Sequence, residues 1–205
     1  MEIPPELTEK AKTVELCIDT LFINELPFLA TISRRLQYPT ITPLENQSMA
    51  IYRSALDQVL RAYNARGFPI STIYCNNEYK PLFEPIQDEM DITMNYALAY
   101  EHVLEAERNN RVIKERIRAT FHRLPYKALP KLMVKVLAME CTKKLNYFPP
   151  KNGLSPYFSP HSIVNGTPID YMKHCGIPFG TYCQAHDKSI PKNSQLPRTI
   201  DTVYL

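Results

Sequence analysis

The chain has 205 residues, 44% hydrophobic and 22% charged, which suits one well-cored globular domain and argues against a disordered chain. No apolar run approaches the ~20 residues of a membrane span, and MEIPPELTEKAK at the start lacks the apolar core of a signal peptide, so neither a membrane partner nor secretion is expected. Net charge is +3 but unevenly spread: residues 1–102 carry 8 basic and 14 acidic groups, and residues 103–144 carry 11 basic and 4 acidic. Such a basic block is either a solvated helix surface or the footprint of a polyanion partner. Cys17, Cys75, Cys141, Cys175 and Cys183 are odd in number and scattered, which predicts free thiols in a reducing, intracellular setting.

In chain order, VELCIDTLFI (14–23) reads as a strand with an acid, Asp19, at its centre. A hairpin turn at Asn24 leads to a second strand (26–36), and YPTIT (38–42) is a weak third. The period then changes. Thr42 as N-cap, Pro43 at the first helical position and Glu45 completing a capping box predict a helix opening there. Tyr52, Ala55, Leu56, Val59 and Tyr63 give it one apolar face, and Gly67 ends it. A strand follows at 68–75, and a crossover helix before it predicts parallel pairing with the first strand. YKPLFEPIQDEM is expected to be a short helix or turn, and 91–98 a further strand. Helices are expected over about 104–123 and 127–147, the second apolar nearly all round and hence buried. Residues 149–205 read as a loop-rich extension.

The order β-β-β-α-β-α-β-α-α predicts an α/β, ribonuclease-H-like fold with a mixed five-stranded sheet. The expected division is a core over 13–148 and a Pro/Gly-rich extension over 149–205 leading into a β module. In this layout the centre of the first strand and the end of the fourth converge, at Asp19 and Asn76. On the long helix Ala106, Asn110, Ile113, Ile117, Phe121 and Leu124 form the inward stripe, with Glu107, Arg111, Lys114 and Arg118 beside it. An acid heading a row of cations suits a metal-binding carboxylate beside phosphate-gripping groups. The same spacing also suits ordinary i, i+4 surface pairs.

The string AERNNR (106–111) within EAERNNRVIKERIRATFHRLP resembles the last catalytic segment of copia-type LTR-retrotransposon integrases. There an Ala-Glu-Arg-x-Asn-Arg pattern carries the final acid of an Asp, Asp, Glu triad. CNNEYKPL is similar to the second-acid segment of that family, and VELCIDTLFINELPFLATISRRL to the first. SPHSIVNGTPIDYMKHCGIPFGTYCQAHDK and PRTIDTVYL resemble the region after the core, where a Ser-Pro helix precedes a glycine turn and short strands. The resemblance runs from about residue 13 to 205 and implies an integrase catalytic core, part of a retroelement polyprotein and related to the retroviral enzymes. By resemblance the catalytic positions are Asp19, Asn76 and Glu107. Asp19 and Glu107 are the implied ligands of two Mg²⁺ or Mn²⁺ ions that cut and join DNA phosphodiesters. Arg108, Arg111, Lys114, Arg118 and Lys127 are the implied DNA-binding groups. The resemblance also implies homo-oligomers and a nuclear site of action.

One departure decides the expectation of activity. The second acid is Asn76, an amide with one neutral oxygen where hard cations want a carboxylate. Loss of that charge predicts an impaired enzyme, a disarmed or domesticated core, unless Glu78 substitutes, and strand geometry points Glu78 elsewhere. The alternative is a non-enzymatic nucleic-acid- or protein-binding domain. A separate constellation, His174, Cys175, Cys183 and His186 in HCGIPFGTYCQAH, has the residue types of a zinc site. The adjacent His174-Cys175 pair and the missing C-x₂-C favour two strands joined by Gly-Ile-Pro-Phe-Gly instead.

Overall fold

A computed structural model describes residues 3–81, 87, 92–97, 103–186, 188–189, 195 and 197–205. A short helix α1 (Pro5–Lys10) leads into β1 (Val14–Ile23), β2 (Leu26–Ser33) and β3 (Pro39–Pro43), an antiparallel meander. Asn24 and Glu25 turn the first hairpin at φ 47° and 65°. That left-handed pair matches the right-handed twist of the flanking strands. Helix α2 (Met49–Asn64) crosses over to β4 (Ile70–Cys75), which runs parallel to β1, and β5 (Thr93–Tyr96) runs parallel to β4. The sheet order is β3-β2-β1-β4-β5, with β1 at the centre. Helices α3 (Leu104–Phe121) and α4 (Lys131–Leu145) follow, then α5 (Pro160–Asn165), α6 (Tyr171–Cys175) and a separate hairpin of β6 (Tyr182–His186) and β7 (Thr199–Val203).

The alternation of β1 divides the core in two. Val14, Leu16 and Ile18 face α2 and pack on Leu56, Val59, Leu60 and Tyr63. On the opposite face Cys17 meets Ala106, and Leu21 and Ile23 meet Ile113, Ile117 and the buried stripe of α4. Helix α3 therefore lies along β1, and Asp19 sits between Cys17 and Leu21 on that face. Ser159 opens α5 by accepting the Ser162 amide at 3.1 Å, and Gly166 closes it at φ 68°. The extension is tied to the core through Tyr147, which is 1% exposed and has His161 and His174 against its ring at 5.3 and 5.6 Å.

Three sequence expectations change. Helix α2 begins at Met49 after Ser48, not at Thr42, because Thr42 and Pro43 pair with Leu29 and Phe28 as the end of edge strand β3. An edge tolerates proline, whose missing N–H removes no ladder bond there. Leu44 continues the pairing by donating its amide to Pro27 at 2.9 Å. Helix α4 is not buried all round: Val134, Leu137, Ala138 and Cys141 face the sheet, while Leu132 and Met139 are 67% and 44% exposed. Third, Gly-Ile-Pro-Phe-Gly joins a helix to a strand rather than two strands. Asp170 caps α6 by accepting the Met172 and Lys173 amides, which makes 171–175 helical. YKPLFEPIQDEM, expected as a short helix or turn, falls largely outside the described residues; a 3₁₀ turn at Asn77–Tyr79 leads into its start.

Candidate active site

Asp19 sits on the central strand with its carboxylate toward α3, half-buried. Its Oδ1 accepts the Thr20 amide at 2.8 Å and the Asn76 Nδ2 at 3.4 Å; its Oδ2 accepts the Asn110 Nδ2 at 2.7 Å. The strand-centre and strand-end residues therefore do meet, across 57 residues of sequence. Parallel pairing of β1 and β4 brings them together, with Cys17 opposite Tyr74 and Asn76 at the exit of β4.

Three polar contacts pin α3 to the sheet. Arg34 at the end of β2 binds Glu105 at 2.9 Å and Glu15 at 3.3 Å, with its guanidinium 3.9 Å over the Tyr74 ring. Asn109 donates to the Thr31 carbonyl at 3.3 Å in a buried position, and Asn110 donates to Asp19. Glu105 is thus held by the sheet. Glu107 lies exposed on the helix one turn before Asn110. Arg111, Lys114 and Arg118 are all exposed, and among the described residues none of the three makes an ion pair. Among the described residues no i, i+4 ion pair joins Glu107 to this row. Arg108 lies about 100° round the helix from Glu107, on a neighbouring face, and Lys127 is in the connection 122–130, away from the row.

Beyond Asn76 the chain is anchored on the other face of β1. The Thr20 hydroxyl hydrogen-bonds the Tyr52 hydroxyl at 2.7 Å and also the Tyr79 hydroxyl, and the two rings meet edge to face at 5.7 Å. Tyr79 is 3% exposed, and burial pushes its phenol well above the usual range. It is a structural anchor. Glu78 is exposed. Burial first raises the Tyr52 and Tyr79 phenols, and the charges of both Asp19 and Glu78 add to the shift. Cys17, beside Arg34, is pushed up to about 11, chiefly by burial, and Cys75 to about 12 by burial and then by Glu78, so neither is a reactive thiolate.

The donor set does not fit a two-metal centre. Asp19 has amide N–H groups on both oxygens, one of them from Asn76, which offers its nitrogen where a cation needs an oxygen. Among the described residues no three His, Cys, Asp or Glu side chains converge to hold a metal ion, and this includes His174, Cys175, Cys183 and His186. Helix α6 holds the first two of those four and β6 the last two. The Asn110 Oδ1 is buried and without a partner. Sequence reasoning placed Asn110 on the inward stripe and missed its contact with Asp19.

No family model and no curated protein matches the sequence. The fold is matched by solved structures. The catalytic core domain of BIV integrase superposes with a TM-score of 0.54 at 15% identity, covering 74% of this chain and 93% of that one. The HTLV-2 integrase catalytic core domain, solved in complex with magnesium in a trimeric form, gives 0.52 at 14% identity, covering 74% and 95%. The chain is an α/β domain with the ribonuclease-H-like fold of integrase catalytic cores.

Proposed function

We propose that this domain derives from a retrotransposon integrase core, keeps the scaffold and the cationic helix face, and has lost the two-metal chemistry. Its remaining activity is then binding of DNA through phosphates. The observation that carries the reading is the contact between Asn76 and Asp19: the residue at the second-acid position donates a hydrogen bond to the first acid. An aspartate there would bring a second negative oxygen beside Asp19, which is the arrangement that attracts hard cations. Glu107, one helical turn before Asn110, is the third acid in this reading, and Arg111, Lys114 and Arg118 continue the row as cations with no ion pair among the described residues, suited to phosphate oxygens.

The test is Mn²⁺-dependent nicking and strand transfer on a short duplex, with the natural chain beside Asn76→Asp, and salt-dependent DNA binding measured for both. The expected result is binding by both and cleavage by the variant alone. Cleavage by the natural chain would overturn the assignment of Asn76 as the lost acid. Absence of DNA binding by both would overturn the polyanion reading of α3.

A further inference from the structure

A cleft of about 800 Å³ lies away from the Asp19 site, between the end of α3, the second half of α4 and the loop leading into β6. Arg116, Arg123 and Lys144 line it, and among the described residues none of the three makes an ion pair. Glu140, the one carboxylate in the lining, is bound by Lys143 at 3.3 Å. Arg116 leaves α3 about 160° round the axis from both Lys114 and Arg118, so the cleft does not continue their row. Cys141 forms part of the wall and shows where two of the cations stand. Its Sγ donates to the Thr120 hydroxyl at 3.4 Å and to the Arg116 carbonyl at 3.9 Å. Burial raises this thiol above its usual range, and the Thr120 hydrogen bond and then the charges of Lys144 and Arg116 oppose the shift. One cation from each helix therefore stands beside the same wall.

The rest of the lining is largely apolar and rich in rings. Pro125, Pro149, Pro150 and Pro178 contribute to it, and Phe148 is 55% exposed with its ring stacked on Tyr171 at 5.5 Å and 29°. A peptide strand laid here would need backbone donors for its carbonyls, and these four prolines have none. A planar base needs only a ring to pack on, and a phosphate chain needs cations that keep no other partner. Three such cations against one carboxylate already bound by a lysine suit a ligand with more than one negative charge. The volume is that of a site for one small molecule.

We infer that this cleft binds a nucleoside polyphosphate: Arg116, Lys144 and Arg123 hold its phosphates, and its base packs on Phe148. The occupant touches α3, α4 and the loop into β6 at once, so binding ties the C-terminal hairpin to the two helices. The inference does not depend on the DNA-binding reading of the Lys114–Arg118 row.

The experiment uses the whole 205-residue chain in chelator, so that no metal–phosphate complex forms at Asp19, with ATP, adenosine and inorganic tripolyphosphate as probes. The readout is the alkylation rate of single cysteines, mapped by mass spectrometry. Cys175 lines the cleft and is partly exposed; Cys183, also partly exposed, lies outside it on β6 and serves as the control. ATP should slow alkylation of Cys175 and not of Cys183. Tripolyphosphate should do so only at higher concentration, and adenosine not at all. Arg116→Ala and Lys144→Ala should each weaken ATP about tenfold, the loss of one charge-assisted contact. Phe148→Leu should weaken ATP at least about fivefold, the low end for one base–aromatic stack, and leave tripolyphosphate unchanged. Equal protection by ATP and tripolyphosphate, with Phe148→Leu silent, would reduce the cleft to an electropositive surface and overturn the inference. A short DNA duplex that displaces ATP, with Arg116→Ala weakening both alike, would assign the cleft to a nucleic-acid surface and overturn it. Protection by anionic phospholipid vesicles and none by ATP would assign it to a membrane and overturn it. Unchanged alkylation of Cys175 at millimolar ATP would overturn it outright.

Discussion

Replacing Asn76 by aspartate tests the Asp19–Asn76 contact without any catalytic readout. In the natural chain the Nδ2 of Asn76 lies 3.4 Å from the Asp19 Oδ1 and donates to it. An aspartate oxygen in the same place puts two negative charges at that separation, a repulsion of about 5 kcal/mol at an effective dielectric constant of 20. Both groups are half-exposed, so solvent screening reduces the expected loss of stability to roughly 1–3 kcal/mol. The protein has a second way to relieve the repulsion, which is to keep one proton on the pair. One unit of pKa corresponds to about 1.4 kcal/mol, so the second proton of the variant should leave roughly one to two units above the ordinary carboxylate value. The sign follows from linkage. A carboxyl whose folded pKa is raised carries no penalty while protonated and destabilises as pH rises through that value. Urea unfolding of the two chains in chelator should therefore give similar stabilities near pH 4.5 and a deficit for Asn76→Asp at pH 7.5. Millimolar Mn²⁺ should recover the deficit in the variant and leave the natural chain unmoved, because only a site that binds in the folded state is stabilised by mass action. A variant that matches the natural chain at pH 7.5 in chelator, with no Mn²⁺ effect, would refute the proximity of residue 76 to Asp19 and the site built on it.

Other expectations follow from neighbouring contacts. Asn110→Leu fills a similar volume but removes the 2.7 Å donor to Asp19, which should cost about 1–3 kcal/mol in chemical denaturation. Tyr79→Phe deletes the hydroxyl bonded to Thr20 and should cost about 1 kcal/mol by the same measurement. Gly180 has φ +84°, and a Cβ there would lie 2.4 Å from Leu124 Cδ2, so Gly180→Ala should speed hydrogen exchange in β6 and β7 while amides of the central sheet stay protected. Burial first, then His174, Arg66 and Lys143, lower the His161 pKa below its ordinary 6.5. Its ring meets Tyr147 edge to face at 5.3 Å. The unfolded chain takes up the proton more readily, so docking of 160–175 should weaken as pH falls through 6.5 and level off below the folded value. Hydrogen exchange at pH 7.5 and 5.5 checks this, and His161→Phe should flatten the dependence.

The central strand was legible because its signals agree. VELCIDTLFI has β-branched and apolar residues throughout, an asparagine able to adopt positive φ at its end, and a second apolar run after it. The start of α2 was misread because Thr42-Pro43 followed by Glu45 is also what a helix N-terminus looks like. The pairing of Phe28 with Pro43 decides otherwise, and no local signal reports a partner that lies 15 residues away. For α4 the error was one of inference. Leu and Met are good helix formers wherever they stand, so an apolar sequence fits a helix with an exposed side as well as a buried one. Leu132 and Met139 are on that exposed side.

The meeting of Asp19 and Asn76 was legible in the sequence, and the contact from the helix was not. Two adjacent asparagines, poor helix formers, occur at the centre of an otherwise favourable segment. That is a local cost, and local costs in a helix interior call for a tertiary reason. Here the reason is the register of α3 on β1. Ala106 meets Cys17, Ile113 and Ile117 meet Leu21 and Ile23, and the position between them, residue 110, must face the position between Cys17 and Leu21. That position is Asp19. A carboxylate in an apolar row needs a donor, and a short amide on the facing helix can provide one without a second buried charge. The same register sets the direction in which the cationic row leaves the site. If Asn110 stands over Asp19, Lys114 and Arg118 are carried toward the far end of β1, where Phe22 is half-exposed. An acid on the central strand and an amide on the facing helix therefore fix the direction in which the exposed cations of α3 run along the sheet.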